Sequence, residues 1–214
     1  MDLRTELFER YSQLSACESD IDNAKKLICE TYKNGGTVYV CGNGGSCSDS
    51  DHIVGELMKG FLLRRELSCA ETEKFASMFE DGADFASRLQ GALPAVSLTA
   101  QTAILSAFAN DVDPDMVYAQ LVYGYAREND LVIGLSTSGN SKNVVNAVKA
   151  AKFRGAKTLC MTGARESKLS AMSDVTIKVP ETETFKIQEL HLPVYHYLCA
   201  AVEDEFFGKD DLSN

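Results

Sequence analysis

Residues 37–60 read TVYVCGNGGSCSDSDHIVGELMKG, a β-prone run from Thr37 to Cys41 that enters a glycine cluster, Gly42-Asn43-Gly44-Gly45-Ser46, and then opens a helical pattern over Ser48 to Gly60. A strand, a glycine turn and a helix in immediate succession is half of a βαβ unit. Similar apolar runs recur at 94–99, 131–136, 157–161 and 175–179. Helical patterns separate them, at 102–109 with 116–127, at 141–154 and at 167–172. Strictly alternating strand and helix predicts an α/β fold, a three-layer sandwich with a central parallel sheet of about five strands.

Outward from this core, residues 2–33 carry Leu3, Leu7, Tyr11, Leu14, Ile21, Leu27 and Ile28 at mostly three- and four-residue spacing, which predicts one or two amphipathic helices ended by Asn34-Gly35-Gly36. A helical segment that long before the first strand wants a partner. Residues 183–207 close the chain as a helix in which Pro193 removes a backbone donor and is expected to kink or split it. A tail from Gly208 to Asn214 is expected to fray. Residues 62–92 interrupt the alternation with two helical pieces around Asp81-Gly82, and are expected to lie over the surface as an excursion. The whole chain is read as one domain, with 1–35 as a helical attachment.

The glycine turn lets backbone amides approach an anion at the positive end of a helix dipole. A tight turn without a ligand is the plain alternative. A dinucleotide site is a poorer one, because the third glycine of that fingerprint is misplaced and only Glu66 stands near the expected acidic position. A second loop, Ser136-Thr137-Ser138-Gly139-Asn140-Ser141, follows the run 131–135 and precedes another helix. N-capping accounts for one of its serines, Ser141 being the expected cap. It does not account for Ser136, Thr137 and Ser138 together, so their hydroxyls are expected to converge with the helix N-terminus on one phosphate.

His52 and Glu56 stand four apart and share a helix face. On the last helix Gln188, Glu189, His191 and His196 are polar among apolar neighbours. By helical angle Glu189 lies nearer the His196 face than Gln188 does, and periodicity does not select between them. A lone histidine on such a helix is more often a hydrogen-bonded core residue than a site residue.

Composition bounds what such a site serves. The 214 residues carry 21 Lys plus Arg against 31 Asp plus Glu, a net charge of −10, which argues against broad attraction to nucleic acid, so an anionic ligand needs a local site. No apolar run approaches the ~20 residues of a membrane span. The N-terminus lacks the basic-then-apolar pattern of a signal peptide. Seven scattered cysteines without a CxxC pair suit reduced thiols and a cytoplasmic setting.

The segments CGNGGSCSDSDHIVGEL, LPAVSLTAQTAILSAFANDV, LVIGLSTSGNSKNVVNAVKAAKFRGAKTLCMTG and IQELHLPVYHYLC, in this order, resemble the sugar isomerase (SIS) domain family over about 36–60 and 93–206. STSGNS is specific for the family at large. GNGGS followed by HxxxE and a late QExHxxxxH points to the branch that interconverts sedoheptulose 7-phosphate and D-glycero-D-manno-heptose 7-phosphate. The resemblance implies a parallel α/β sandwich and a homotetramer whose N-terminal helices pack between subunits. It makes Ser46, Ser136, Thr137, Ser138 and Ser141 phosphate contacts, and Asn43, beside Gly44, a sugar contact. It implies a zinc ion held by His52, Glu56, Gln188 and His196, with Glu56 and His196 as the acid/base pair. Two departures stand out: Gln101 occupies a substrate-lining position where the family often carries an aspartate, and the 62–92 excursion is longer than the usual connection. They leave room for another sugar phosphate as substrate, or for a non-catalytic SIS protein that binds a protein partner.

Overall fold

The computed structural model describes residues 2–208; the expected fraying of 209–214 lies outside them. Five parallel strands, β1 (Val38–Gly42), β2 (Ala95–Ser97), β3 (Leu131–Leu135), β4 (Lys157–Thr162) and β5 (Val175–Lys178), form one sheet in the order β2-β1-β3-β4-β5. β1 and β3 pair in register from Val38 opposite Leu131 to Gly42 opposite Leu135. Every residue of both is buried, the near-continuous apolar run that a sheet covered on both faces demands.

Helix α3 (Gly45–Met58) follows β1 and buries Ile53 and Leu57 on one face of the sheet, with α2 (Glu18–Lys33) and α10 (Thr184–Phe207). Helix α8 (Lys142–Phe153) follows β3 and buries Val144, Val145 and Val148 on the other face, with α7 (Val117–Tyr125). Two adjacent parallel strands thus send their helices to opposite faces. Between their carboxyl ends lies a topological switch point, where ligand crevices of open α/β sheets form.

The N-terminal segment divides into α1 (Leu3–Arg10), a 3-10 turn (Ser12–Cys17) and α2. Arg4 binds α1 to α2 through Asp22, at 2.9 and 2.8 Å, and Glu18, at 2.5 Å. The 62–92 excursion holds α4 (Cys69–Met78) and α5 (Gly82–Ser87); α4 has a Ser68–Glu71 capping box and no buried residue. As expected, it lies over the surface.

Pro193 does not split α10, which runs unbroken for 24 residues. The carbonyl that loses its donor belongs to Glu189, an exposed residue, while buried residues on both sides of the proline hold the two halves in line. All seven cysteines are free, and five of them are buried.

Candidate active site

The glycine turn is shaped by the backbone it needs. Gly44 has φ of 57°, the left-handed region where a side chain is strained. Gly45 has the Gln188 amide nitrogen 2.5 Å from the place a Cβ would take, so its missing side chain is what lets α10 approach α3. The amides of Ser46 and Cys47 are occupied by the carbonyls of Asn43 and Gly44, both at 3.0 Å. This turn therefore offers an anion fewer amides than its sequence suggests.

The hydroxyl loop stands beside it. Asn43 and Asn143, in the first turn of α8, exchange two side-chain hydrogen bonds of 2.9 Å and lock the two loops together across the switch point. Tyr118 donates to the Gly42 carbonyl at 2.7 Å and steadies the turn from below. Ser141 occupies the N-cap of α8 without capping it: its hydroxyl lies 2.9 Å from the Ser136 hydroxyl instead. The capping expectation fails because a better partner lies within the loop. Ser46 and Ser136 are buried, each 3% exposed, while Thr137 and Ser138 line a cleft of about 280 Å³ with Asn140, Gly163, Arg165 and Thr184. Gln101, at the start of α6 (Thr102–Asp111), reaches the same carboxyl edge from β2.

Helices α3 and α10 run side by side in the same direction, with Gln188 against Gly45 and, seven residues further on each helix, Tyr195 against His52. His52 Nε2 lies 3.3 Å from Glu56 Oε1, and the His52 and His196 rings are 5.0 Å apart and nearly perpendicular. The predicted carboxylate and imidazole thus meet around His52. Lys59 holds the other Glu56 oxygen at 2.8 Å. Burial, then His52, pushes the His196 imidazole below its ordinary value against the pull of Glu56. His196 Nε2 is buried with no hydrogen-bond partner, while the residue lines a separate cleft of about 290 Å³ with Tyr11, Phe61 and Leu192.

Gln188 is half-buried against the glycine turn, whereas Glu189 is exposed. Periodicity did not select between the two; it is Gln188 that lies against Gly45. His191 is a core histidine, fully buried, with Nε2 3.3 Å from the Thr162 carbonyl.

His52, Glu56, Gln188 and His196 supply nitrogen and oxygen donors of the kind zinc accepts, and the partnerless His196 Nε2 is an atom such an ion would satisfy. The donor chemistry fits zinc. Among the described residues, no three His, Cys, Asp or Glu side chains are already gathered around one point. Loading would therefore draw His52 and Glu56 from their present contacts.

Sequence reading missed Asp49, whose carboxylate accepts from the Tyr195 hydroxyl at 3.2 Å, and Tyr195 itself, 3.0 Å from His52 Nδ1. The spacing of Asp49, His52 and Glu56, three and then four residues, was the available signal. It also missed the Arg65–Glu203 pair that closes the far end of the helix pair, both side chains fully buried at 2.7 Å.

Two models of the SIS domain match the chain, one over residues 85–200, more than half of it, and a second over 5–78. The chain belongs to the SIS domain family. Within it, this SIS domain is 37% identical over 184 residues to a phosphoheptose isomerase of Helicobacter pylori, with 86% of the chain and 83% of the relative covered. It is 33% identical over 192 residues to the phosphoheptose isomerase of Aliarcobacter butzleri, covering 90% and 88%. Among solved structures it superposes on phosphoheptose isomerase from Neisseria gonorrhoeae with a TM-score of 0.71 at 30% identity, covering 92% of this chain and 94% of that one. The Francisella tularensis phosphoheptose isomerase gives 0.75 at 27% identity, with 91% of each chain covered.

Proposed function

We propose that this SIS domain protein is a phosphoheptose isomerase, converting D-sedoheptulose 7-phosphate to D-glycero-D-manno-heptose 7-phosphate. The observation that carries the proposal is the meeting of Glu56 and His196 around His52 on paired helices whose N-terminal turns meet at the glycine turn, where Gln188 lies against Gly45. Full-length similarity to phosphoheptose isomerases supports the same reading. From Gly45 to His52 is about 10 Å along α3 at 1.5 Å per residue. Such a separation suits a sugar whose reacting carbons lie at the opposite end of a long chain from its phosphate.

Ser46, Ser136, Thr137, Ser138 and Ser141 bind the phosphate, aided by the N-terminus of α8, while Asn43, Gln101 and Gln188 border the sugar. Glu56 takes a proton from C1 of the ketose, and the electron pair forms the C1–C2 double bond of an enediolate as negative charge moves onto the C2 oxygen. His196, as a neutral imidazole able both to accept and to donate, moves a proton from the C1 hydroxyl to the C2 oxygen. Glu56 then returns its proton to C2, leaving the C1 aldehyde, so every proton is conserved. Zinc, held by His52, Glu56, Gln188 and His196, would stabilise negative charge on the substrate oxygens.

The experiment is conversion of sedoheptulose 7-phosphate followed by NMR, with pentose and hexose phosphates alongside and with zinc added or chelated. Appearance of the heptose aldose supports the reading. No isomer under any condition overturns it, and turnover of a shorter sugar alone reassigns the substrate. A homotetramer in the cytoplasm completes the proposal. Exposed Met78, Phe79 and Phe85 on the excursion support self-association. Seven free thiols support a reducing compartment. Among the described residues no helix is long and apolar enough to cross a membrane.

A further inference from the structure

Asp49, Tyr195, His52 and Glu56 form a continuous chain of polar contacts between α3 and α10: 3.2 Å from the Tyr195 hydroxyl to Asp49 Oδ1, 3.0 Å from that hydroxyl to His52 Nδ1, and 3.3 Å from His52 Nε2 to Glu56 Oε1. The proton inventory of this chain admits two arrangements: Tyr195 donates to Asp49 and accepts from Nδ1–H, or it donates to Nδ1 and leaves Nε2–H facing Glu56; the first gives the hydroxyl proton to a charged carboxylate, the stronger acceptor. A tyrosine hydroxyl has one proton to give, and a carboxylate can only accept. With that proton on the Asp49 side, the tyrosine oxygen meets His52 as an acceptor, so Nδ1 must carry hydrogen. A neutral imidazole has only one N–H, so Nε2 is left with its lone pair facing Glu56 and the His196 ring.

We propose that Tyr195, anchored by Asp49, is a positioning residue that holds His52 in the Nδ1–H tautomer and presents the Nε2 lone pair to the site. The tyrosine is well placed for this. It is 2% exposed and packs edge-on to both imidazoles, with centroids 5.5 Å from His52 and 5.0 Å from His196. Its ring fixes the position of both histidines, and its hydroxyl selects the atom that one of them offers. The consequence is chemical: the electron pair of Nε2 is available for a proton or a cation beside Glu56, and the Nδ1–H is held away from the substrate. A hydrogen bond to the far nitrogen is how proteins commonly orient imidazole ligands and raise their basicity.

The catalytic significance rests on the isomerase reading; the tautomer does not, and it can be measured without substrate. The test is the long-range nitrogen–proton NMR spectrum of the His52 side chain in chelator-treated protein, well above the pH range in which an imidazole protonates. Wild-type protein is expected to show protonated Nδ1 and unprotonated Nε2. Tyr195→Phe, which keeps the ring and removes the hydroxyl, is expected to shift the population toward Nε2–H. Asp49→Ala is expected to shift it in the same direction, because the released tyrosine proton can then turn toward Nδ1. A wild-type spectrum dominated by Nε2–H overturns the proposal, whether or not either variant folds. So does a folded Tyr195→Phe protein with an unchanged tautomer. If the wild-type and variant spectra are as expected but no heptose phosphate is isomerised, the isomerase reading fails and the positioning role stands.

Discussion

In the proposed reaction Glu56 and His196 act on different atoms of the substrate, the carboxylate on carbon-bound hydrogen and the imidazole on the oxygens, so neither replaces the other. Glu56→Gln and His196→Ala are each expected to lower kcat by at least the ~10²–10⁴-fold of one general acid or base, with the oligomer intact. Turnover near the wild-type rate in either variant removes that residue from the chemistry. Ser138→Ala should instead raise KM at little cost in kcat, by about 10-fold or more for a lost charged hydrogen bond of roughly 1.5–3 kcal/mol. A different residue-scale effect belongs to His191. Burial, against a weaker opposing pull from the Thr162 carbonyl, pushes its imidazole down to about 4. The unfolded chain protonates this residue near 6.5, so the folded state is fully favoured above that pH and loses stability as pH falls toward about 4. Urea unfolding across that window should show a decline of a few kcal/mol, which His191→Gln flattens.

At the scale of elements, the far ends of α3 and α10 are tied by a strap, residues 60–65. Glu203 of α10 accepts from the amides of Phe61 and Leu62, both at 2.7 Å, and Leu63, at 3.0 Å, as well as from Arg65. Burial alone would raise the Glu203 carboxyl, but these donors outweigh it and hold it below the usual carboxylate range. Arg65 also donates to the carbonyls of Leu57 and Glu56, at 2.6 and 2.9 Å, filling the open end of α3. Its φ of 48° is unusual for a side-chain-bearing residue and is sustained by these bonds. Removing either partner should cost ~3–5 kcal/mol in urea unfolding. The double replacement Arg65→Met with Glu203→Leu should recover little, because three amides still lack an acceptor. Full recovery would show that the pair, and not the amide cradle, is the important part. Phe61 packs 5.7 Å from the His196 ring, so loosening the strap should also lower kcat.

Across the whole molecule, the sheet was legible because its central strands are buried on both faces and read as apolar runs between turns. The loops were legible as residue types, glycines and hydroxyls at strand ends, but not as partners: nothing local marks the Asn43–Asn143 exchange or the Ser136–Ser141 contact. HxxxE was readable from helical spacing alone. Asp49 shared that spacing, but Tyr195, Arg65 and Glu203 carried no such signal, since an acidic residue at a helix surface and one buried among backbone amides look alike until the other helix is in place. That Gln188 and not Glu189 lies against Gly45 likewise depended on how α10 approaches α3. The exposed apolar side chains of the 62–92 excursion make a prediction at this scale: light scattering should give four times the 23.3 kDa chain mass, and Phe79→Asp should reduce it. A single-chain mass for the unaltered protein would rule assembly out.

His52 and Tyr195 touch although 143 positions separate them in the chain. Their contact closes a span that contains all but the first of the five strands. A fragment cut anywhere between Glu56 and His196 therefore holds that carboxylate without the His196 imidazole. Turnover becomes an all-or-nothing report on completed synthesis, and a protease nick that releases the last helix silences the enzyme in one event.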